Sequence, residues 1–232
     1  PSSPPPSSPS AAESALGASA PRRRMRVGYL SGDFCQHAVA LLTVELFERH
    51  DPDRVELHAF SWSRDDGSEV RARVRRAMHA YVAIGALDDA QAADVIRAHG
   101  IDVLIDLQGL TAGARPGILM RRPAPVQLTW LGFPGPTAMP GIDHVIADRY
   151  VLPEALTPFF LERPLYLPHC FQPSDTRRAV GPTPSRAEAG LPARGFVFCS
   201  FNNNYKFTAP VFALWMRILA AVPGSVLWLL AD

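Results

Sequence analysis

Four short stretches carry residues whose types and spacing suit chemistry. In Gly28-Tyr29-Leu30-Ser31-Gly32-Asp33-Phe34-Cys35-Gln36-His37, Asp33 and His37 follow a predicted strand, and His37 stands at the start of a predicted helix. A helix N-terminus disfavours an imidazolium and keeps the ring neutral, suited to a base or a hydrogen-bond donor. The plain structural alternative is an Asp helix cap beside a surface histidine. The stretch is not G-x-G-x-x-G, so a dinucleotide is not indicated. In Asp106–Arg115, Gly109 and Gly113 permit close backbone approach, and Arg115 can meet an anion or a peptide carbonyl. Trp130-Leu131-Gly132-Phe133-Pro134-Gly135 is a third glycine-bearing strand-end turn. In Phe201-Asn202-Asn203-Asn204-Tyr205-Lys206, three amides, a phenol and the only lysine stand where a phosphate-bearing ligand meets a helix N-terminus. Of the 23 basic residues the other 22 are arginine, so Lys206 is no generic surface charge; its compact ammonium suits a diphosphate.

Other candidates point away from metal and disulfide chemistry. Asp51-Pro52-Asp53 has a D-x-D spacing, but between a predicted helix and the following strand it reads as a turn. No two of the seven histidines are four residues apart, so no metal site is expected. Cys35, Cys170 and Cys199 are odd in number and widely separated, which argues against a disulfide framework or a zinc site and for a reducing, cytoplasmic setting. Trp215 and Trp228 have the apolar spacing of core.

These stretches need elements to hold them. From Met25 the chain alternates predicted strands (25–31, 54–62, 102–107, 126–131, 144–147) with predicted helices (38–50, 68–79, 88–99 and a short one after Pro116). Strands such as Val103-Leu104-Ile105 are apolar on both faces, as in a parallel sheet covered on both sides. The expected fold class is α/β, a doubly wound Rossmann-like sheet whose ligands lie outside the carboxyl ends of the strands. All four stretches follow strands and fall there. After a proline-bearing segment the pattern restarts with a strand at 196–201, a helix at 208–222 and a strand at 225–230, one βαβ unit. The expected organisation is a disordered Pro/Ser-rich linker at 1–21, a first lobe at 22–170, a linker at 171–195 and the truncated start of a second lobe at 196–232.

With 232 residues, 47% hydrophobic and 19% charged, the chain can bury a core. A net charge of +1 gives no electrostatic reason to expect nucleic acid or an anionic membrane. No uninterrupted apolar run reaches the ~18 residues of a membrane span, and the first twenty residues lack the apolar region of a signal peptide.

Taken in order, these turns resemble the O-linked N-acetylglucosamine transferase family, its bacterial branch in particular. The stretches that carry the resemblance are Arg26–Phe34 through His37, Asp65-Asp66-Gly67, Arg121–Gln127, Trp130–Gly135, Gln172–Thr176, Phe201–Lys206 and Val222–Leu230. The resemblance implies a GT-B architecture: two Rossmann-like lobes with a nucleotide sugar in the cleft between them. It also implies metal-free, inverting transfer of N-acetylglucosamine from UDP-N-acetylglucosamine to Ser or Thr hydroxyls of proteins, with no cofactor beyond that donor. His37 matches the family's histidine close to donor and acceptor, a candidate base, and Asp33 matches an aspartate in the same loop. Lys206 matches the lysine at the departing diphosphate. Asn203 occupies a position that is Gln in animal members, Arg115 matches an arginine on the acceptor side, and Gly132, Pro134 and Tyr205 fall in the substrate-binding turns. Ala38 and Val39 depart from the usual Pro-Thr.

The expected partners are thus a nucleotide sugar and a protein or peptide acceptor, with neither nucleic acid nor membrane. The chain itself is expected to be a partial catalytic region, inactive alone. Two other readings remain: a related transferase with another donor such as GDP-fucose, and a non-catalytic module that binds a protein partner.

Overall fold

The computed structural model describes residues 23–230. The Pro/Ser-rich stretch read as a linker at 1–21 lies outside them. The chain divides into two compact units, the first ending at Arg178 and the second beginning at Ala179.

The first unit is an α/β layer structure around seven parallel strands. In chain order these are β1 (Met25–Ser31), β2 (Val55–Ser61), β3 (Ala80–Ala83), β4 (Val103–Asp106), β5 (Val126–Thr129), β6 (His144–Ala147) and β7 (Arg163–Tyr166), arranged 3-2-1-4-5-6-7. All neighbouring pairs are parallel, so each connection must cross over from one end of the sheet to the other. Side chains alternate between faces. Val27, Tyr29 and Leu57 point into a core shared with α1 (Ala38–Glu48) and α2 (Glu69–Ala77), where Val44, Phe47 and Val74 meet them. Leu30, Phe60 and Leu104 point to the other side, against α3 (Asp89–Ala98) and α4 (Pro116–Leu119), through Ile96, Ile118 and Leu119.

Local signals set the helix starts. Ser68 caps α2 by accepting the Arg71 N–H, with Glu69 in the first turn and Arg75 and Arg76 in the last. Asp88 and Gln91 form a capping box at α3. Pro116 opens α4, where its missing N–H is not needed. The predicted elements are observed with ends within two residues. Asp51-Pro52-Asp53 is a turn, with the Asp53 N–H donating to Asp51 Oδ1 at 2.9 Å.

Two strands, β3 and β7, are additional to the predicted set. Both are four-residue edge strands. Pro164 argues against a strand from sequence, but an edge strand tolerates it because one side of its backbone has no ladder to join. The stretch 171–195, read as a linker, is divided: up to Arg178 it belongs to the first unit. There Phe171 packs on the first core, Asp175 pairs with Arg73 at 2.6 Å, and Thr176 donates to Glu45.

The second unit contains β8 (Val197–Ser200), α5 (Ala209–Ala221) and β9 (Val226–Leu229), a parallel βαβ motif. One helix covers a two-stranded sheet, so α5 has no fully buried residue. Trp215 and Trp228 are half-buried and make edge contacts with Phe207 and Phe201.

Candidate functional site

In the first unit the loops after β1, β2, β4 and β5 meet at the carboxyl edge of the sheet. Gln108, 3% exposed, links two of them: its Oε1 accepts the Gly32 N–H at 3.1 Å and its Nε2 donates to the Ala112 carbonyl at 3.2 Å. Asp106, at the end of β4, accepts the Gln108 and Gly109 N–H groups at 3.1 and 2.8 Å. Its burial raises the carboxyl to about 7, against the opposing pull of those two donors. Trp62, just after β2, donates from Nε1 to the Gly113 carbonyl at 3.0 Å.

Two glycines of these loops, Gly109 and Gly132, are spaces that neighbours fill. A Cβ on Gly132 would lie 2.0 Å from the Leu107 carbonyl oxygen, and one on Gly109 (φ +58°) would lie 2.4 Å from Phe133 Cβ. The Gly132 N–H donates back to the Trp130 carbonyl at 2.8 Å around Leu131 at φ +70°. That tight turn strains a non-glycine residue at the carboxyl edge of the sheet. Beside it lies a cavity of about 220 Å³, lined by Trp130, Leu131, Phe133, Pro134, Phe160 and Phe171 among others. Pro134 is exposed at its rim.

The β1–α1 loop brings Asp33 and His37 together. His37 is the N-cap of α1, and its Nδ1 accepts the Val39 N–H at 3.3 Å. This requires a lone pair on Nδ1, so in the neutral ring the proton sits on Nε2. Asp33 Oδ2 lies 3.6 Å from the same Nδ1. Both side chains keep access to solvent, at 20% for Asp33 and 48% for His37. Cys35 lies between them, and burial, followed by the charges of Asp66 and Asp33, raises its thiol, which disfavours a thiolate nucleophile.

Arg115 meets an anion and two peptide carbonyls, all of them the protein's own. Its Nε donates to Asp89 at 2.8 Å, and Nη1 and Nη2 donate to the Ile84 and Leu87 carbonyls at 2.9 and 2.7 Å. The guanidinium therefore fastens the β4–α4 loop to the start of α3, with three of its donors engaged inside the fold.

Asn203, Tyr205 and Lys206 belong to the second unit. A 3-10 turn, Asn204–Lys206, follows β8, and Asn203 caps it through the backbone. All three side chains are exposed, Tyr205 at 81%, and Lys206 Nζ stands 6.0 Å from the Tyr205 ring centroid.

The sequence does not single out Arg71, and it marks Asp66 and Asp106 only as members of Asp65-Asp66-Gly67 and Asp106–Arg115, without a role. Asp66 accepts the Gln36 N–H at 2.6 Å, and Arg71 donates to the Phe34 carbonyl at 2.9 Å. The Ser68 helix start beside Asp66 is a further local signal. Among the described residues no group of three or more His, Cys, Asp or Glu is arranged to hold a metal ion. Among them, too, no helix is long and apolar enough to cross a membrane.

The family model for glycosyl transferase family 41 matches residues 12–181 and 178–231. The chain belongs to glycosyl transferase family 41. Two plant relatives from Arabidopsis thaliana are similar to it. The probable UDP-N-acetylglucosamine–peptide N-acetylglucosaminyltransferase SEC is 34% identical over 90% of this chain and 22% of its own length. The probable UDP-N-acetylglucosamine–peptide N-acetylglucosaminyltransferase SPINDLY is 35% identical over 88% of this chain and 22% of its own. This family 41 chain thus spans about a fifth of the length of these relatives. Among solved structures, a lysine-to-methionine variant of the Thermobaculum terrenum O-GlcNAc transferase is 30% identical with a TM-score of 0.80, over 90% of this chain and 39% of that one. The fold is α/β of the GT-B glycosyltransferase type.

Proposed function

We propose that the protein transfers N-acetylglucosamine from UDP-N-acetylglucosamine to serine or threonine hydroxyls of protein acceptors, with inversion and without a metal ion. The observation that carries this reading is family 41 membership together with likeness to transferases named for that reaction. In the reaction the acceptor oxygen bonds to the anomeric carbon as the bond to the diphosphate oxygen breaks, and the electron pair leaves with UDP. Lys206 offsets the charge that develops on the diphosphate. Asp33 takes the hydroxyl proton, directly or through a water. His37, with its proton on Nε2, donates a hydrogen bond beside it, since Nδ1 is held by Val39. Gly132, Pro134, Asn203 and Tyr205 shape the substrate side of their loops, and Arg115 sets the loop on the acceptor side. We assign the segment 179–195 as linker and the βαβ motif as the start of the nucleotide-sugar lobe.

The test is transfer by the full-length protein with a panel of sugar donors that includes GDP-fucose, read by mass spectrometry of the acceptor with and without a chelator. N-acetylglucosamine transfer unaffected by chelation is expected. Lys206→Met should lower kcat by about 10²–10³-fold, as for loss of a charge-stabilising donor. Transfer of a different sugar, chelator sensitivity, or an unchanged Lys206→Met enzyme would each overturn the corresponding part.

A further inference from the structure

The loop that holds Asp33 and His37 is fixed at three points: one is its own buried ring, one comes from the turn between β2 and α2, and one from α2. Phe34, fully buried, anchors the loop's middle among the aromatic rings of Phe47 and Tyr81. Asp66 Oδ2 accepts the Gln36 N–H at 2.6 Å, while its Oδ1 accepts the backbone N–H and the hydroxyl of Ser68 at 3.1 and 2.7 Å. Arg71, on the first turns of α2, is 7% exposed, and its Nη1 donates to the Phe34 carbonyl at 2.9 Å and to Ser63 Oγ at 3.0 Å.

Burying a guanidinium requires compensation. Among the described residues the only carboxylate paired with Arg71 is Asp65, at 3.2 Å from Nε and itself mostly exposed, and Nε has no hydrogen bond of its own there. A surface position would have served a mere ion pair better. What the buried position provides is a charged donor at a loop carbonyl that no strand partner satisfies. Asp66 supplies the matching charged acceptor two residues further on, and its Gln36 bond, the largest cause, holds the carboxyl down to about 2.

We propose that Asp66 and Arg71 are positioning residues for the transfer reaction: they clamp the backbone between Asp33 and His37 so that the carboxylate and the imidazole face the reacting groups in one fixed geometry. Neither touches substrate; both act through the loop. This inference rests on the transferase reading of Asp33 and His37.

The test uses the full-length protein with Asp66→Asn and Arg71→Lys. An Asn that keeps its oxygen on Ser68 turns an amide donor toward the Gln36 N–H, and Lys cannot serve Phe34 and Ser63 with a planar fork. Both variants should lower kcat by about 10- to 100-fold, the scale of a displaced catalytic group. The KM for the donor should stay within about twofold, since binding of the donor is not the step affected. Asp102→Asn, at the opposite end of the sheet where Asp102 accepts the Arg26 N–H, is the stability control and should keep kcat. Hydrogen exchange at the Gln36 amide gives a second readout that needs no activity, and should quicken in Asp66→Asn alone among these variants. A kcat for Asp66→Asn within about twofold of the parent, or Gln36 exchange unchanged, overturns the proposal. If the parent transfers no sugar, the transferase reading fails, and the exchange measurement still decides whether the clamp exists.

Discussion

The Asp33 carboxylate stands 3.6 Å from His37 Nδ1, the nitrogen that accepts the Val39 N–H. The two neighbours make opposite demands. The Val39 bond needs a lone pair on Nδ1, whereas an ion pair with Asp33 needs a proton there. The helix cap therefore leaves Asp33 without its imidazole partner and free to act on another proton.

The helix-capping and chemical roles of His37 can be separated. Asn is a strong N-cap and Ala a poor one, so His37→Ala should lose about 0.5–2 kcal/mol and His37→Asn should lose little. Both should reduce transfer, because neither offers the Nε2–H donor. Thermal unfolding and the transfer assay together check this, and ¹⁵N spectra of the neutral ring should show the proton on Nε2. A proton on Nδ1, or His37→Asn retaining full transfer, contradicts the assignment.

The loop glycines should differ by what surrounds them. Gly113 is at φ +76° with open space around its Cβ position, whereas Gly109 combines φ +58° with Phe133 Cβ at 2.4 Å. Gly113→Ala should cost only the left-handed strain, about 1–2 kcal/mol. Gly109→Ala should add an overpacking term of about 1–3 kcal/mol. Gly132→Ala meets a backbone oxygen rather than a flexible side chain, so its loop must move. Urea unfolding of the three variants gives the order, and equal losses at 109 and 113 would refute the packing account.

How much of this was legible follows the range of the interactions. Strand–helix alternation, the Ser68 and Asp88 caps and the strand-end position of every candidate turn are written in neighbouring residues, and they could be read from the chain. Pro164 concealed β7 because edge position is a property of the sheet. The clamp of Arg71 on Phe34 joins residues 37 apart, and no local pattern marks an arginine as buried. Which anion and which carbonyls Arg115 meets could not be read locally, because Asp89, Ile84 and Leu87 arrive only through the packing of α3 beside α4. Phe171, Asp175 and Thr176 lay hidden in a Pro/Ser/Arg composition that otherwise describes a linker.

Asp106 should impose a pH dependence on stability. Its carboxyl is raised to about 7 in the fold by burial, against about 3.9 in an unfolded chain. Between those values the folded state holds a proton that the unfolded state has released. Stability therefore falls as pH rises from about 4 to 7 and levels off above, with a total on the order of 4 kcal/mol at most. Asp106→Asn, which cannot ionise, should flatten this slope while leaving one of the Gln108 and Gly109 N–H groups poorly satisfied. Urea midpoints across the range check it, and identical slopes in the two proteins would dismiss the raised carboxyl.

The docked segment 171–178 should respond to acid in the opposite sense. Glu45, hydrogen-bonded first of all by the Thr176 N–H, and Glu48 and Asp175, both bonded by Arg73, all have carboxyls held below their ordinary values. Groups depressed in the fold stabilise it above their unfolded pKa, near 4, and that contribution disappears as pH drops through the lower folded values. The segment should stay docked at neutral pH and loosen below about pH 4. Trp130 reports on it, because its Nε1–H donates to the Phe171 carbonyl at 2.9 Å. The Trp130 indole N–H resonance should hold its position at neutral pH and shift on acidification before the core unfolds. Arg73→Leu leaves Asp175 without its guanidinium and Glu48 with Arg177 alone, so it should produce the same shift at pH 7 and open Arg177 to trypsin. A Trp130 signal indifferent to both acid and Arg73→Leu would mean that Phe171 is held by packing alone.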